Sequence, residues 1–228
     1  MMRRSGAAAF RPKPFLKWAG GKRQILDELL SRLPPDFRAY HEPMLGGGAL
    51  FFELAAQGRI CKAVLSDWNE DLICAYAAVQ ERTPELIVSL KKRVYDPDEY
   101  YRVRALDPGR LDPVERASLR RAPFESVLDA AKARDFVYLD PPYYPVSKTA
   151  NFSAYEKSGF GAAEHRRLRD VFAALTRKGC YAMLSNSHSD FTLKLFGGFR
   201  IATVQAARAV NSKSSGRGPV REIIVRNY

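Results

Sequence analysis

Asp135-Phe136-Val137-Tyr138-Leu139-Asp140-Pro141-Pro142-Tyr143-Tyr144 is the stretch whose reading decides the fold. Four consecutive β-branched, aromatic and aliphatic residues end in an acid followed by two prolines, which predicts a buried strand delivering a carboxylate to the rim of a sheet. Open α/β sheets place their ligands at that rim. Each proline fixes its own φ and lacks an N–H, so neighbouring carbonyls are not consumed by a tight local turn. Asp140, outward carbonyls and the face of Tyr143 would then surround one small volume. Such a volume suits a planar ring bearing an amino group, with the acid and a carbonyl accepting its N–H bonds and the phenol stacking on it. The tetrapeptide alone reads equally well as a surface turn, because turns favour the same residues.

A second site further towards the N-terminus supplies the missing context. Ala39-Tyr40-His41-Glu42-Pro43-Met44-Leu45-Gly46-Gly47-Gly48-Ala49-Leu50-Phe51-Phe52 predicts a short strand near Arg38–Glu42, a glycine turn and a helix carrying Leu50, Phe51 and Leu54. It is not the Gly-x-Gly-x-x-Gly fingerprint, since Phe51 holds the last glycine position. The next strand, Lys62 to Asn69, puts Asp67 at a second strand end about twenty residues beyond the turn, where an acid can grip both hydroxyls of a ribose. Asp67 reads alternatively as a cap for the following helix, and Trp68 either lines an adenine pocket or packs beside it. Before these, Phe15 to Arg23 leads into a helical stripe of Ile25, Leu26, Leu29, Leu30 and Leu33 closed by Pro34-Pro35. Its Gly20-Gly21-Lys22 either seats an anionic group at a helix start or is a plain turn, with Trp18 a core residue.

The chain has 228 residues, 46% of them hydrophobic, enough for one sizeable core and a small second lobe. Its 37 Lys+Arg against 25 Asp+Glu give a net charge of +12, which favours a polyanionic partner. Cys61, Cys74 and Cys180 lie far apart, so neither a metal site nor a disulfide framework is indicated and a reducing cytosol is the simplest compartment. Residues 1–14 form a basic arm too interrupted for a secretory core, and no segment approaches a membrane span.

The remaining segments alternate in the same α/β manner. Leu72, Ile73, Tyr76 and Val79 share a helix face, and a short helix runs from Thr83 to about Val94. Tyr95 to Arg104 mixes aromatics with positive charge, as phosphate and base contacts require, or as a solvated helix face would. Tyr144 to Tyr155 is a polar, aromatic loop. The helix after Gly161 turns Leu168, Val171, Phe172 and Leu175 inward and leaves His165, Arg166, Arg167 and Arg169 largely outward, so His165 needs no catalytic role. Cys180 to Asn186 is a strand with a polar exit, Ser187 to Asp190 a turn, and Phe191 to Phe196 a short helix. Two closing strands, near Phe199–Val204 and Arg221–Arg226, flank a basic Gly/Ser loop at 211–218.

Taken in this order the motifs resemble the D12 class of adenine-specific DNA methyltransferases typified by Dam, in which cofactor segments precede target recognition and catalysis. The resemblance rests on Phe15 to Lys22, Glu42 to Phe52, Asp67-Trp68-Asn69, Asp140 to Tyr143, Phe152-Ser153-Ala154-Tyr155, Leu184-Ser185-Asn186 and Arg221 to Tyr228. It implies an α/β, Rossmann-like class I methyltransferase with a seven-stranded, mostly parallel sheet and a small helical DNA-recognition lobe. The implied activity is transfer of a methyl group from S-adenosylmethionine to the 6-amino group of a flipped adenine in double-stranded DNA. Cytosine 4-amino or RNA adenine methylation and an inactive DNA-binding regulator are the alternatives.

By the same resemblance Asp140, Pro141, Pro142 and Tyr143 are catalytic. Trp18, Ala19, Gly20, Gly21, Lys22, Glu42, Pro43, Met44, Gly46, Gly48, Ala49, Asp67, Trp68, Phe124 and Asp140 hold the cofactor, and no metal is expected. Candidate DNA contacts are Lys13, Arg93, Tyr101, Arg104, Lys148, Asn151, Tyr155, Ser187, His188, Lys213 and Arg217. Residues 1–69 and 122–228 would build the catalytic domain and 70–121 the recognition lobe. The implied setting is a bacterial or phage-encoded cytoplasmic enzyme, monomeric or weakly dimeric, with a cognate restriction endonuclease as a partner. One departure stands out: Ala117 to Arg121 passes straight to Ala122-Pro123-Phe124, where the family has a longer stretch with a hairpin and basic loop that read the target, and Pro123 replaces an acid. The expectation is a segment missing near 117–122; a genuine join would reduce DNA recognition and part of the sheet.

Overall fold

A computed structural model describes residues 13–16, 18, 22–92, 120–146, 159–206 and 220–228. Its centre is a seven-stranded sheet in the order β3-β2-β1-β4-β5-β7-β6, built from β1 (Tyr40–Glu42), β2 (Ala63–Asp67), β3 (Arg120–Arg121), β4 (Phe136–Leu139), β5 (Tyr181–Ser187), β6 (Arg200–Ala206) and β7 (Val220–Arg226). Strands β3, β2, β1, β4 and β5 pair in parallel, and β7 runs antiparallel to both β5 and β6. This is the Rossmann-like, mostly parallel sheet that the family resemblance implies.

The opening stretch explains why β4 lies in the middle. All four of its residues are buried, and its alternation sends Val137 and Leu139 into one core and Phe136 and Tyr138 into the other. A strand covered on both faces reads as an unbroken apolar run. One cover comes from α6 (Ala162–Arg177), whose Leu168, Val171, Phe172 and Leu175 are buried against Val137, Leu139, Ala182 and Leu184. The opposite cover comes from α1 (Leu26–Leu30) and α2 (Ala49–Ala56), through Leu29, Leu50 and Leu54 packed with Tyr40, Phe136 and Tyr138. The other described α-helices are α3 (Glu70–Glu81), α4 (Thr83–Lys91), α5 (Val127–Ala130) and α7 (Asp190–Leu195).

The outward placement expected for His165 is wrong. Its side chain is fully buried, packed edge-on against Phe160 and Tyr144 at ring distances of 4.9 and 5.5 Å. Position 165 lies three residues before Leu168 and seven before Phe172, so helical spacing puts it on the inward face whatever its polarity. The strand β5 also runs through Ser187, one residue into the expected turn.

The join near 117–122 lies in a continuous sequence of 228 residues. The sheet keeps its edge strand there, shortened to Arg120 and Arg121, both exposed and paired with Ser66 and Asp67. Pro123, at φ −63°, then opens a 3-10 turn over Phe124–Ser126. Among the described residues no helix is long and apolar enough to cross a membrane and no group of His, Cys, Asp or Glu is placed to hold a metal.

Candidate active site

The carboxyl ends of β1, β2 and β4 open into one cleft of about 1590 Å³, lined by residues that include Glu42, Gly46, Asp67, Phe124, Asp140 and Tyr143. Single small-molecule sites occupy roughly 300–1,000 Å³, so the cleft has room for two reactants.

At the end of β1 the backbone folds into the glycine turn. Gly46 and Gly48 adopt φ of +48° and +63°, a left-handed conformation that costs L side chains 1 kcal/mol or so. A Cβ on Gly46 would also stand 3.0 Å from the Trp18 ring, so the bare backbone lets the indole lie against the turn. Asp67 braces the turn from the neighbouring strand: its Oδ2 accepts the Gly46 N–H at 3.0 Å and its Oδ1 the Asn69 N–H at 2.9 Å. The helix-cap alternative for Asp67 falls to Asn69, whose side chain accepts the Leu72 N–H at 3.0 Å. Asp67 is therefore fixed with its carboxylate beside the cleft. Trp68, next to it, is 65% exposed, with the Arg121 guanidinium 5.0 Å from its ring centre. Pro43, Met44, Ala49 and Phe124 also line the cleft.

Glu42 is buried and accepts the Tyr40 hydroxyl at 2.8 Å. Burial pushes its carboxyl up to about 8, against the pull of the Tyr40 bond. A carboxyl so placed holds its proton at neutral pH until a cation arrives.

At the end of β4, Asp140 accepts two bonds on the same oxygen, Oδ1: from Lys22 Nζ at 2.8 Å and from Ser185 Oγ at 3.0 Å. The buried Tyr138 hydroxyl lies 2.9 Å from Ser185 Oγ. Since Ser185 spends its proton on Asp140, Tyr138 is the donor in that pair. Among the described residues nothing bonds Oδ2. Burial raises the Asp140 carboxyl above its usual range, and Lys22 and Ser185 oppose the rise. Lys22, itself buried, also sits 4.5 Å from the centre of the Tyr143 ring, so it stands between the cofactor side and the Asp-Pro-Pro-Tyr turn.

The turn is held from behind. The Asn186 side chain accepts the Tyr144 N–H at 3.0 Å, the buried Ser187 hydroxyl donates to the Tyr144 carbonyl, and Tyr144 stacks on Phe191 at 4.1 Å. The Tyr143 hydroxyl donates to Glu222 Oε2 at 2.7 Å.

The structure thus brings Trp18, Lys22, Glu42, Gly46, Gly48, Asp67, Trp68, Phe124, Asp140, Pro141, Pro142 and Tyr143 to one cleft. Ser187 also lines it, held on the loop, and His188 is partly exposed beside β7, donating its backbone N–H to Arg221. Lys13 is exposed near the described N-terminal residues. Ala19, Gly20, Gly21, Arg93, Tyr101, Arg104, Lys148, Asn151, Tyr155, Lys213 and Arg217 lie outside the described residues. Sequence reasoning missed Tyr138, Ser185 and Glu222 as parts of the site. A hydroxyl or acid inside an otherwise apolar strand is the signal that marks them.

Comparison with known proteins agrees with this geometry. The family model described as D12 class N6 adenine-specific DNA methyltransferase matches residues 18–122 and 114–210. The type II methyltransferase M1.LlaDCHI of Lactococcus lactis is 34% identical over 275 aligned positions, covering 95% of each chain. M.MjaIII of Methanocaldococcus jannaschii is 31% identical, covering 95% of this chain and 99% of its own. The DNA adenine methylase of Escherichia coli K12 is 27% identical, covering 93% and 94%. The 275 positions exceed the 228 residues here, so at least 47 residues of the Lactococcus protein have no counterpart. The family match comes in two pieces that overlap at residues 114–122. Fold, cleft and sequence together show that the chain belongs to the D12 class of N6 adenine-specific DNA methyltransferases and is an S-adenosylmethionine-dependent DNA adenine methyltransferase.

Proposed function

We propose that the cleft seats the cofactor and one flipped adenine of double-stranded DNA side by side, with Asp140, Pro141, Pro142 and Tyr143 as the target-base site. The carrying observation is that Asp140 Oδ1 is saturated by Lys22 and Ser185 while Oδ2 has no bond from a described residue. An amino group reaching Oδ2 and a proline carbonyl would have both its N–H bonds accepted.

The residues fit S-adenosylmethionine. Gly46 leaves backbone bare under Trp18, Asp67, braced by the Gly46 N–H, presents a carboxylate that suits ribose hydroxyls, exposed Trp68 offers a flat surface, and buried Glu42 suits the cationic amino acid end. Trp18, Lys22, Glu42, Gly46, Asp67, Trp68 and Phe124 would hold it. When bound, the cofactor supplies an electrophilic methyl carbon on a sulfonium sulfur. The adenine amino lone pair is delocalised into its ring and is a poor nucleophile. Asp140 and the Pro141 carbonyl hold both amino hydrogens so that the lone pair turns towards the incoming carbon. With the cofactor bound, the amino nitrogen held by Asp140 and the Pro141 carbonyl would take up the methyl carbon directly as the sulfur departs and would release its extra proton afterwards, with no bond to the enzyme. Tyr143 stacks on the flipped base and offsets part of the few kcal/mol that unstacking costs.

Within this reading 70–121 is the recognition lobe, rooted by α3 against the glycine turn through Leu72 and Tyr76. The protein acts as a monomer or weak dimer in a bacterial or phage-infected cytoplasm, protecting DNA from a cognate restriction endonuclease. The test is mass spectrometry of nucleosides after incubation with unmodified duplex DNA and matched RNA. The expected product is N6-methyladenine in DNA alone, and Asp140→Ala lowers the rate by about 10³-fold or more at saturating cofactor. N4-methylcytosine, or methylated RNA, would overturn the reading.

A further inference from the structure

Among the described strands, β7 alone runs against both its neighbours, and it brings the beginning, not the end, of its chain to the catalytic rim. Glu222 is the third residue of β7 and lies opposite Ser187, the last residue of β5. Its side chain therefore enters the same cleft as Asp140, on the strand face that two residues later buries Ile224 in the core beside Tyr138. There Oε2 accepts the Tyr143 hydroxyl at 2.7 Å.

We propose that Glu222 is a positioning residue for methyl transfer, fixing the Tyr143 ring in the attitude in which it receives the flipped adenine. The proposal rests on the assignment of Tyr143 as the stacking residue. A phenol ring joined to the backbone through two rotatable bonds is aimed only if something holds its far end. The ring is anchored on its chain side by the Tyr144 bonds to Asn186 and Ser187, and Glu222 holds its tip, with Ser185 also near the hydroxyl. The direction of that bond is settled by chemistry: burial, and then the neighbouring Asp140, hold the Tyr143 hydroxyl in its protonated form, so it donates. Glu222 accepts; burial raises its carboxyl, while the Tyr143 bond and then Lys22 oppose the rise and favour the charged acceptor, whose hydrogen bonds are stronger than those between neutral groups. The Lys22 ammonium, which lies over the same ring and pairs with Asp140, offsets part of the negative charge of the two carboxyls. Glu222 touches neither reacting atom; it acts through Tyr143.

The experiment compares wild type, Glu222→Ala, Glu222→Gln, Tyr143→Phe and the Glu222→Ala/Tyr143→Phe double variant. Each is assayed for kcat and KM on duplex DNA, for S-adenosylmethionine affinity, and for fluorescence of 2-aminopurine at the target position. Glu222→Ala and Tyr143→Phe are each expected to lower kcat/KM by about ten- to a hundredfold, the range of a lost hydrogen bond to a charged group. The double variant is expected to be no worse than the poorer single one, because both remove one bond. Cofactor affinity stays within twofold of wild type, the 2-aminopurine signal changes, and Glu222→Gln, whose amide oxygen still accepts, recovers most of the loss. Additive losses, or Glu222→Gln as poor as Glu222→Ala, overturn the proposal, as does wild-type activity in Glu222→Ala. Failure of wild type to methylate adenine at all would instead sink the underlying assignment, so the two failures are distinguishable.

Discussion

Two carboxyls of the same cleft, buried Glu42 and partly buried Asp140, answer to pH in different ways. Asp140 must be ionised to accept the target amino group, and burial raises its pKa, so activity falls as pH drops through a value above the ordinary carboxylate range. Glu42 carries no such demand in the free protein. Its folded pKa of about 8 exceeds the ordinary value of 4.5, so between these limits the folded state binds more protons than the unfolded chain and stability declines as pH rises. The limiting slope is about 1.4 kcal/mol per pH unit. Glu42→Gln keeps an oxygen for the Tyr40 hydroxyl but has nothing to ionise. Urea unfolding of the cofactor-free protein at about pH 5 and pH 8 is expected to show the Gln variant gaining on wild type as pH rises. A constant difference across that interval would mean that Glu42 is already ionised at neutral pH.

At the scale of elements, what the sequence discloses is what local spacing encodes. Val137 and Leu139 against Phe136 and Tyr138, and Leu168 with Phe172, are periodicities that one strand or helix carries by itself, and strand ends at Asp67 and Asp140 follow from them. Glu222 was hidden because its role depends on which strand reverses, a property of pairing between segments far apart in the chain. At His165 helical spacing prevails over residue type, because a ring that bonds the Gly161 carbonyl at 2.8 Å can enter an aromatic core. The glycine turn offers a direct test of element geometry. Gly48 and Gly58 have nearly the same φ, +63° and +67°, but a Cβ on Gly48 would meet the Tyr76 hydroxyl at 2.9 Å whereas one on Gly58 meets nothing within 4 Å. That hydroxyl donates to the Gly46 carbonyl at 3.1 Å, so pushing Tyr76 aside also loosens the cofactor turn. Gly58→Ala is expected to cost about 1 kcal/mol, the backbone strain alone. Gly48→Ala is expected to cost roughly 1–3 kcal/mol more and to weaken cofactor binding. Equal melting temperatures for the two variants would remove the contact from the account.

The whole molecule combines a strong positive charge with a shortened join. Phosphate contacts supply affinity without sequence information, whereas contacts to base edges supply discrimination. The net charge of +12 preserves the first. The second is reduced if the residues that the Lactococcus relative carries and this chain lacks include target-reading ones. Binding to any duplex should then be tight at low salt and steeply salt-sensitive, losing on the order of 10³-fold between about 50 and 200 mM salt if six or more phosphates are contacted. A single wrong base pair in a site of full specificity costs about 1–3 kcal/mol, or roughly five- to 150-fold. Here the expected penalty lies at or below the bottom of that range, so mapping methylated adenines in unmodified genomic DNA at low salt should return a loose consensus with abundant near-matches. A sharply defined word, each substitution in it costing a hundredfold, would show that the residues at hand read the bases unaided and that the shortening spares recognition.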